Sequence, residues 1–132
     1  MRLQVLGIGR LKAGPEKLLA DDYQTRLEGL GRKAGITRVT VTDFAESQAQ
    51  TAGLRQDEES KLLMAALAPK AQALVLDERG QSLASEDFSR LLRRHVDQVT
   101  HELSFFVGGP EGHAAETRQR PHQLISFGPM TW

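Results

Sequence analysis

An α/β fold, with a mostly parallel sheet and helices on both faces, is predicted by three features of the sequence. Short apolar or β-branched runs alternate with stretches of helical periodicity along the whole chain. The run Ala73-Leu74-Val75-Leu76 is continuously apolar, as expected of a central parallel strand covered on both sides. Glycine and proline punctuate the joins between these segments. At 132 residues, with no repeat, low-complexity tract or linker, residues 1–132 read as one domain.

Each element has its own signal. Leu3 to Ile8 is apolar and ends in Gly7-Ile8-Gly9, a first strand entering a loop. Gly14-Pro15 starts a helix, since proline is accommodated in a first turn, and Leu18, Leu19, Tyr23, Leu27 and Leu30 then recur at helical spacing. Gly29, Gly31 and Gly35 end that helix. Thr37 to Phe44 is rich in β-branched residues and predicts a second strand. Ala45 to Gly53 is small and polar and predicts a loop. Asp57 to Leu67 predicts a helix with Leu63, Met64 and Leu67 on one side. After the strand at Ala73 to Leu76, Gly80 gives a turn, and Ser85 is the expected N-cap of a helix through Phe88, Leu91, Leu92 and Val96. Leu103 to Val107 is another buried strand, closed by Gly108-Gly109-Pro110-Glu111-Gly112, and Leu124 to Phe127 is the last.

Composition narrows the chemistry. There is no cysteine, so disulfides, thiolate metal sites and cysteine nucleophiles are excluded, and the chain suits a reducing cytoplasm. No apolar run approaches membrane-spanning length, and no signal peptide is expected, because the start lacks the longer apolar stretch and cleavage site of one. Net charge is zero, which argues against nucleic-acid binding by bulk charge alone. The distribution is uneven: residues 1–38 carry eight Lys/Arg against four Asp/Glu, whereas residues 39–87 carry four against nine. The first segment can supply a basic face or simply a solvated one.

In an open parallel sheet, ligands bind beyond the carboxyl ends of the strands. Three such ends stand out: Leu76-Asp77-Glu78, the glycine loop from Gly108 to Gly112, and the segment after Phe127. Glycines let the backbone approach a ligand closely with its N–H groups as donors. The loop is neither a Walker A motif nor a dinucleotide fingerprint, and alone it reads equally as a tight strand-to-helix turn. Asp77, Glu78 and Glu111 are candidate acid–base residues or magnesium ligands, though loop acids are more often solvated. His95, His101, His113 and His122 show no metal-binding spacing, and no serine sits in a nucleophile elbow. No metal site is expected. Arg90, Arg93 and Arg94 can meet phosphate or form a solvated helix face.

Taken together, Met1-Arg2-Leu3 through Gly9-Arg10-Leu11-Lys12, Tyr23 to Leu27, Leu76-Asp77-Glu78-Arg79-Gly80 with Ser85 to Phe88, Phe106-Val107-Gly108-Gly109-Pro110-Glu111-Gly112, and Leu124 to Phe127 with Met130-Thr131 resemble the RlmH family of SPOUT methyltransferases. The order and spacing of these segments make the match specific. The resemblance implies a sheet whose C-terminal part forms a trefoil knot, S-adenosylmethionine as cofactor, and a homodimer. It implies methylation at N3 of a pseudouridine in 23S ribosomal RNA, on the assembled ribosome in the cytoplasm. By match of position it implies cofactor contacts at Leu76, Gly108, Phe127, Gly128, Pro129, Met130, Thr131 and Trp132. His113 stands where that family usually has an apolar residue, Gln81 replaces a common lysine, and Ser60 a common glycine. Members of the family continue past the position of Trp132 with a Pro-His pair, an arginine-bearing helix and a tail. The expectation is therefore that the knot is incomplete within residues 1–132, and no catalytic residue is assigned there. The competing readings are a nucleotide- or metabolite-binding α/β module without transfer activity and an inactive truncated remnant.

Overall fold

Alternation of side chains along strand β1 (Arg2–Ile8) sends Leu3 to one face of the sheet and Leu6 and Ile8 to the other. The computed structural model describes residues 1–115, 117 and 123–128. In it β1 is followed by α1 (Pro15–Gly31), β2 (Arg38–Phe44), α2 (Ala52–Ala66), β3 (Ala71–Ser82), α3 (Ser85–Asp97), β4 (Glu102–Val107) and β5 (Gln123–Ser126). The five strands form one sheet in the order β2-β1-β4-β3-β5, and all the pairings are parallel. The predicted α/β class is therefore the observed one.

Two apolar layers cover the sheet. Leu3, Val39, Leu74, Leu103 and Ile125 pack with Leu91, Phe88 and Leu92 of α3 on one face. Leu6, Ile8, Ala73, Val75 and Phe106 pack with Leu63, Met64 and Leu67 of the α2 segment on the other. β3 contributes to both, through Leu74 on one side and Ala73 and Val75 on the other. This explains why it reads as a continuous apolar run rather than an alternating one.

Several boundaries differ from the sequence expectation. α2 begins at Ala52, not Asp57, because the Thr51 hydroxyl accepts the Leu54 N–H at 3.1 Å and caps the helix ahead of Gly53. Ala84, not Ser85, occupies the cap of α3 and makes no side-chain cap bond; Glu86 and Asp87 in the first turn complement the helix dipole instead. β3 runs on to Ser82, and Gly80 lies within it rather than in a simple turn. β5 ends at Ser126, so Phe127 has already left the strand.

The largest difference is at α1. Its helical-spaced residues Leu18, Leu19, Tyr23, Leu27 and Leu30 are all exposed, Leu18 and Leu30 by 71% and 74%. The helix stands beside the edge strand β2, held by the Gln24 amide donating to the Val39 carbonyl and by Gly31 against Ile36. A 3-10 turn (Arg32–Ala34) and Gly35 close it, and the Met1 amino group donates to the Gly35 carbonyl at 2.8 Å.

Candidate functional site

Register sets the level of the strand ends. Leu76 pairs with Val107 of β4 and with Ile125 of β5, and Val107 pairs with Gly7 of β1. These four residues form a row across the sheet, and the chain beyond each enters the same end of the molecule. The structure thus brings Leu76, Gly108, Phe127 and Gly128 together at the carboxyl edge, where open parallel sheets bind ligands. Leu76 is half-buried, Gly108 is buried, and Phe127 is 66% exposed with its ring edge-on to Phe88 at 6.2 Å. Pro129, Met130, Thr131 and Trp132 lie outside the described residues.

Beyond Leu76 the pairing with β5 is interrupted and resumes at Gln81 opposite Ile125. Asp77 is buried, and its Oδ1 accepts the Arg79 N–H at 2.9 Å, which turns the chain at this interruption. Glu78, Arg79, Gly80, Ser82, Ser126 and Gly128 line a cleft of about 420 Å³ beside it. Of the three acidic candidates, Glu78 alone faces open space. Asp77 serves its turn, and Glu111 pairs with Arg55 at 2.8 Å.

The glycine loop is held from below by α2. Besides that ion pair, the Gln56 amide donates to the Glu111 carbonyl, the Ala114 N–H donates to the Ser60 hydroxyl at 3.2 Å, and the Gly112 N–H closes onto the Gly109 carbonyl at 2.9 Å. Glu59 lies under the loop and is 2% exposed. Its Oε2 accepts the Ser47 N–H at 2.8 Å, while among the described residues its Oε1 finds no hydrogen-bond partner. A Cβ on residue 109 would come within 2.8 Å of that oxygen. At Gly108 a Cβ would lie 3.2 Å from the backbone of Gly112 and 3.2 Å from the His113 ring. Residues 108 and 109 are therefore packed so closely against their neighbours that a side chain has little room.

The histidines separate into two kinds. His95 bonds Thr100 at 3.0 Å and His101 bonds Arg2 at 2.8 Å, and the latter pair lies at the amino ends of β4 and β1, away from their carboxyl ends. Burial, and then the neighbouring charge of Arg94, hold His95 below the ordinary imidazole pKa. His113 is buried within the site, with Nε2 3.1 Å from the Leu76 carbonyl, an arrangement that requires the proton on Nε2. Burial pushes its pKa down, against the opposing pull of Asp77 and of the backbone of Leu76 and Phe106. His122 lies outside the described residues. Among the described residues no group of three His, Asp or Glu converges as a metal site, and no helix is long and apolar enough to cross a membrane.

On α3, Arg93 pairs with Asp97, and Arg90 with Glu86 and Asp87, which makes most of that basic run a solvated helix face. Arg90 and Arg94, with Gln81 and Gln123, also border a second cleft of about 530 Å³ on the α3 side.

The family model described as "Predicted SPOUT methyltransferase" matches residues 1–132. The chain belongs to the SPOUT methyltransferase family. Within that family it is 42% identical over 132 residues to the Ribosomal RNA large subunit methyltransferase H of Rhodopseudomonas palustris strain BisB18. It is 43% identical over 133 residues to the protein of that name from Nitrobacter winogradskyi, and 39% identical over 132 residues to that from Bradyrhizobium diazoefficiens. Each match takes in 100% of this chain and 82% of the relative. Glu59 is a candidate-site residue that the sequence did not single out, and His113 stood out there only as a departure from the family's apolar residue. Neither lies in a recognisable motif, and each gains its place only when α2 and β3 pack beside the loop.

Proposed function

We propose that this protein transfers a methyl group from S-adenosylmethionine to N3 of a pseudouridine in large-subunit ribosomal RNA, within assembled ribosomes of the cytoplasm. The observation that carries the reading is the row Leu76, Val107–Gly108 and Ile125–Phe127, three strand ends level with one another beside a glycine loop. The names of the relatives supply the class of acceptor.

The described residues fit the cofactor chemically. The glycine loop follows the strand end beside Leu76, and the half-buried Leu76 with the exposed Phe127 offers an adenosyl group apolar surface. The exposed carboxylate of Glu78 on the neighbouring cleft suits a ligand carrying positive charge. Pro129, Met130, Thr131 and Trp132 would complete the contacts in the proposed site. When bound, the cofactor supplies an electrophilic methyl on a sulfonium, which leaves as a neutral thioether and needs no metal. The protein's task is then to align methyl and nucleophile and to keep water away. No described residue is given the role of the base that takes the N3 proton.

Neutral net charge fits an acceptor recognised through the shape of an assembled particle rather than through bulk attraction to phosphate. The exposed stripe on α1 supports a homodimer, since an apolar face of that kind calls for a covering surface. The test of the reading is radiolabelled methyl transfer to ribosomes lacking the modification, beside calorimetry with S-adenosylhomocysteine. Wild type should bind and transfer, and should act poorly on naked RNA fragments. Gly108→Val should weaken binding at least tenfold, about 1.4 kcal/mol. Binding without any transfer to ribosomes would favour a metabolite-binding module. Unchanged affinity in the valine variant would remove Gly108 from the site.

A further inference from the structure

The glycine loop has several bonds to α2, through Glu111 and Ala114. Towards β3, the β3–β4 ladder reaches as far as Leu76 and Val107, and beyond it the His113 side chain also joins the loop segment to β3. The His113 ring lies against Gly108, where a Cβ would meet both Nε2 and Cε1 at 3.2 and 3.3 Å. The same Nε2 reaches the Leu76 carbonyl at 3.1 Å, and the backbone of Phe106 also engages the ring. Leu76 is the last rung of β3 before its ladder to β5 is interrupted, so its carbonyl lies where the sheet itself gives the backbone least support. Leu76 is half-buried, and His113 supplies its carbonyl with a donor.

We propose that His113 is a positioning residue of the methyl-donor site: its imidazole braces the glycine loop against the end of β3 and sets the spacing between Gly108 and Leu76. The inference rests on the reading that both residues grip the adenosyl group. His113 does not itself touch the reacting atoms. It acts by keeping two backbone segments, which belong to different parts of the chain, at one distance before the ligand arrives. Preorganisation of this kind lowers the ordering cost of binding.

The test compares His113→Leu, which keeps an apolar bulk but cannot donate, with His113→Gln, whose amide can still reach the Leu76 carbonyl. Two measurements are made on each full chain: amide hydrogen exchange of the segment from 106 to 112 without ligand, and calorimetric affinity for S-adenosylhomocysteine. The leucine variant should exchange at least tenfold faster in that segment and bind at least tenfold more weakly, with β1 and α2 protected as in wild type. The glutamine variant should stay within about threefold of wild type in both. Wild-type protection and affinity in the leucine variant would overturn the brace, and so would a glutamine variant as impaired as leucine. A wild type that binds no S-adenosylhomocysteine would overturn the cofactor role of His113 together with the site reading. A wild type that binds, beside a leucine variant that binds equally, overturns the brace alone.

Discussion

Burial gives His113 a titration behaviour that its place in the sequence does not suggest. Its pKa is lowered first by removal from water, with Asp77 and the backbone of Leu76 and Phe106 pulling the other way. An imidazole whose folded pKa lies below its ordinary value of about 6.5 takes up a proton later in the folded state than in the unfolded one. Its contribution to stability is therefore complete above that ordinary value and is lost as pH falls from there through the depressed folded value. Thermal unfolding at pH 7.5 and pH 5.5 should show a drop in midpoint that is smaller in His113→Leu than in wild type. Equal drops in the two proteins would show that His113 remains neutral or titrates without linkage to folding. His95 is shifted in the same direction but is more open to solvent, so its share is smaller and is common to both proteins. None of this was legible beforehand, because the carbonyl that engages His113 is 37 residues away in the chain.

At the scale of the element, the interruption in β3 is the feature that shapes the site. Gly80 predicts a turn, yet in the structure it lies in β3 with its Cα close against the backbone of β5. A Cβ there would meet the Ile125 nitrogen at 2.6 Å and the carbonyl carbons of Leu124 and Ile125 at 2.7 Å. Those are backbone atoms of a paired strand and cannot rotate aside, so Gly80→Ala must push β5 away from β3. Overpacking of this kind costs about 1–3 kcal/mol, and a lower urea midpoint with a shifted Ile125 amide resonance is expected. An unchanged midpoint would mean that the two strands tolerate a wider spacing than the structure shows. The same displacement would move Phe127 and Gly128 and so reach the proposed cofactor contacts. Periodicity identified β3 and β5 as strands but not this contact, since the close approach depends on how the strands are paired.

Across the whole molecule, α1 carries its apolar residues outward. Helical spacing is usually a sign of a face turned to the core. Here Leu18, Leu19, Tyr23, Leu27 and Leu30 remain exposed while β2 takes only a few contacts from the helix. An exposed apolar stripe of this kind is a candidate interaction surface. A second copy of the chain is the occupant that the proposed homodimer supplies. Wild type should therefore sediment as a dimer at micromolar concentration, and Leu18→Lys combined with Leu30→Lys should sediment as a monomer. The double variant should keep the far-ultraviolet dichroism of the wild-type fold, because both side chains are already in water within one chain. A wild type that is monomeric, or a double variant that remains dimeric, would remove the stripe from the interface.

The α/β class, the five strands, the helices and the three strand ends of the candidate site were legible in the sequence, because these depend on local periodicity and on where glycine and proline stand. The sequence also contained Leu76, Gly108, Phe127 and Gly128 as candidates, and the sheet register brings those four to one edge. Tertiary structure alone decided which polar groups are working parts. Asp77 and Glu111 were candidate acids and are held by the Arg79 N–H and by Arg55, whereas Glu59 was not singled out and lies buried under the glycine loop, and His113, noted only as a departure from a family pattern, lies buried just after it. It also left the stripe on α1 facing water. The physical reason is common to these cases: burial and hydrogen bonding between distant segments depend on register and packing, and a period of two or 3.6 residues carries information about neither.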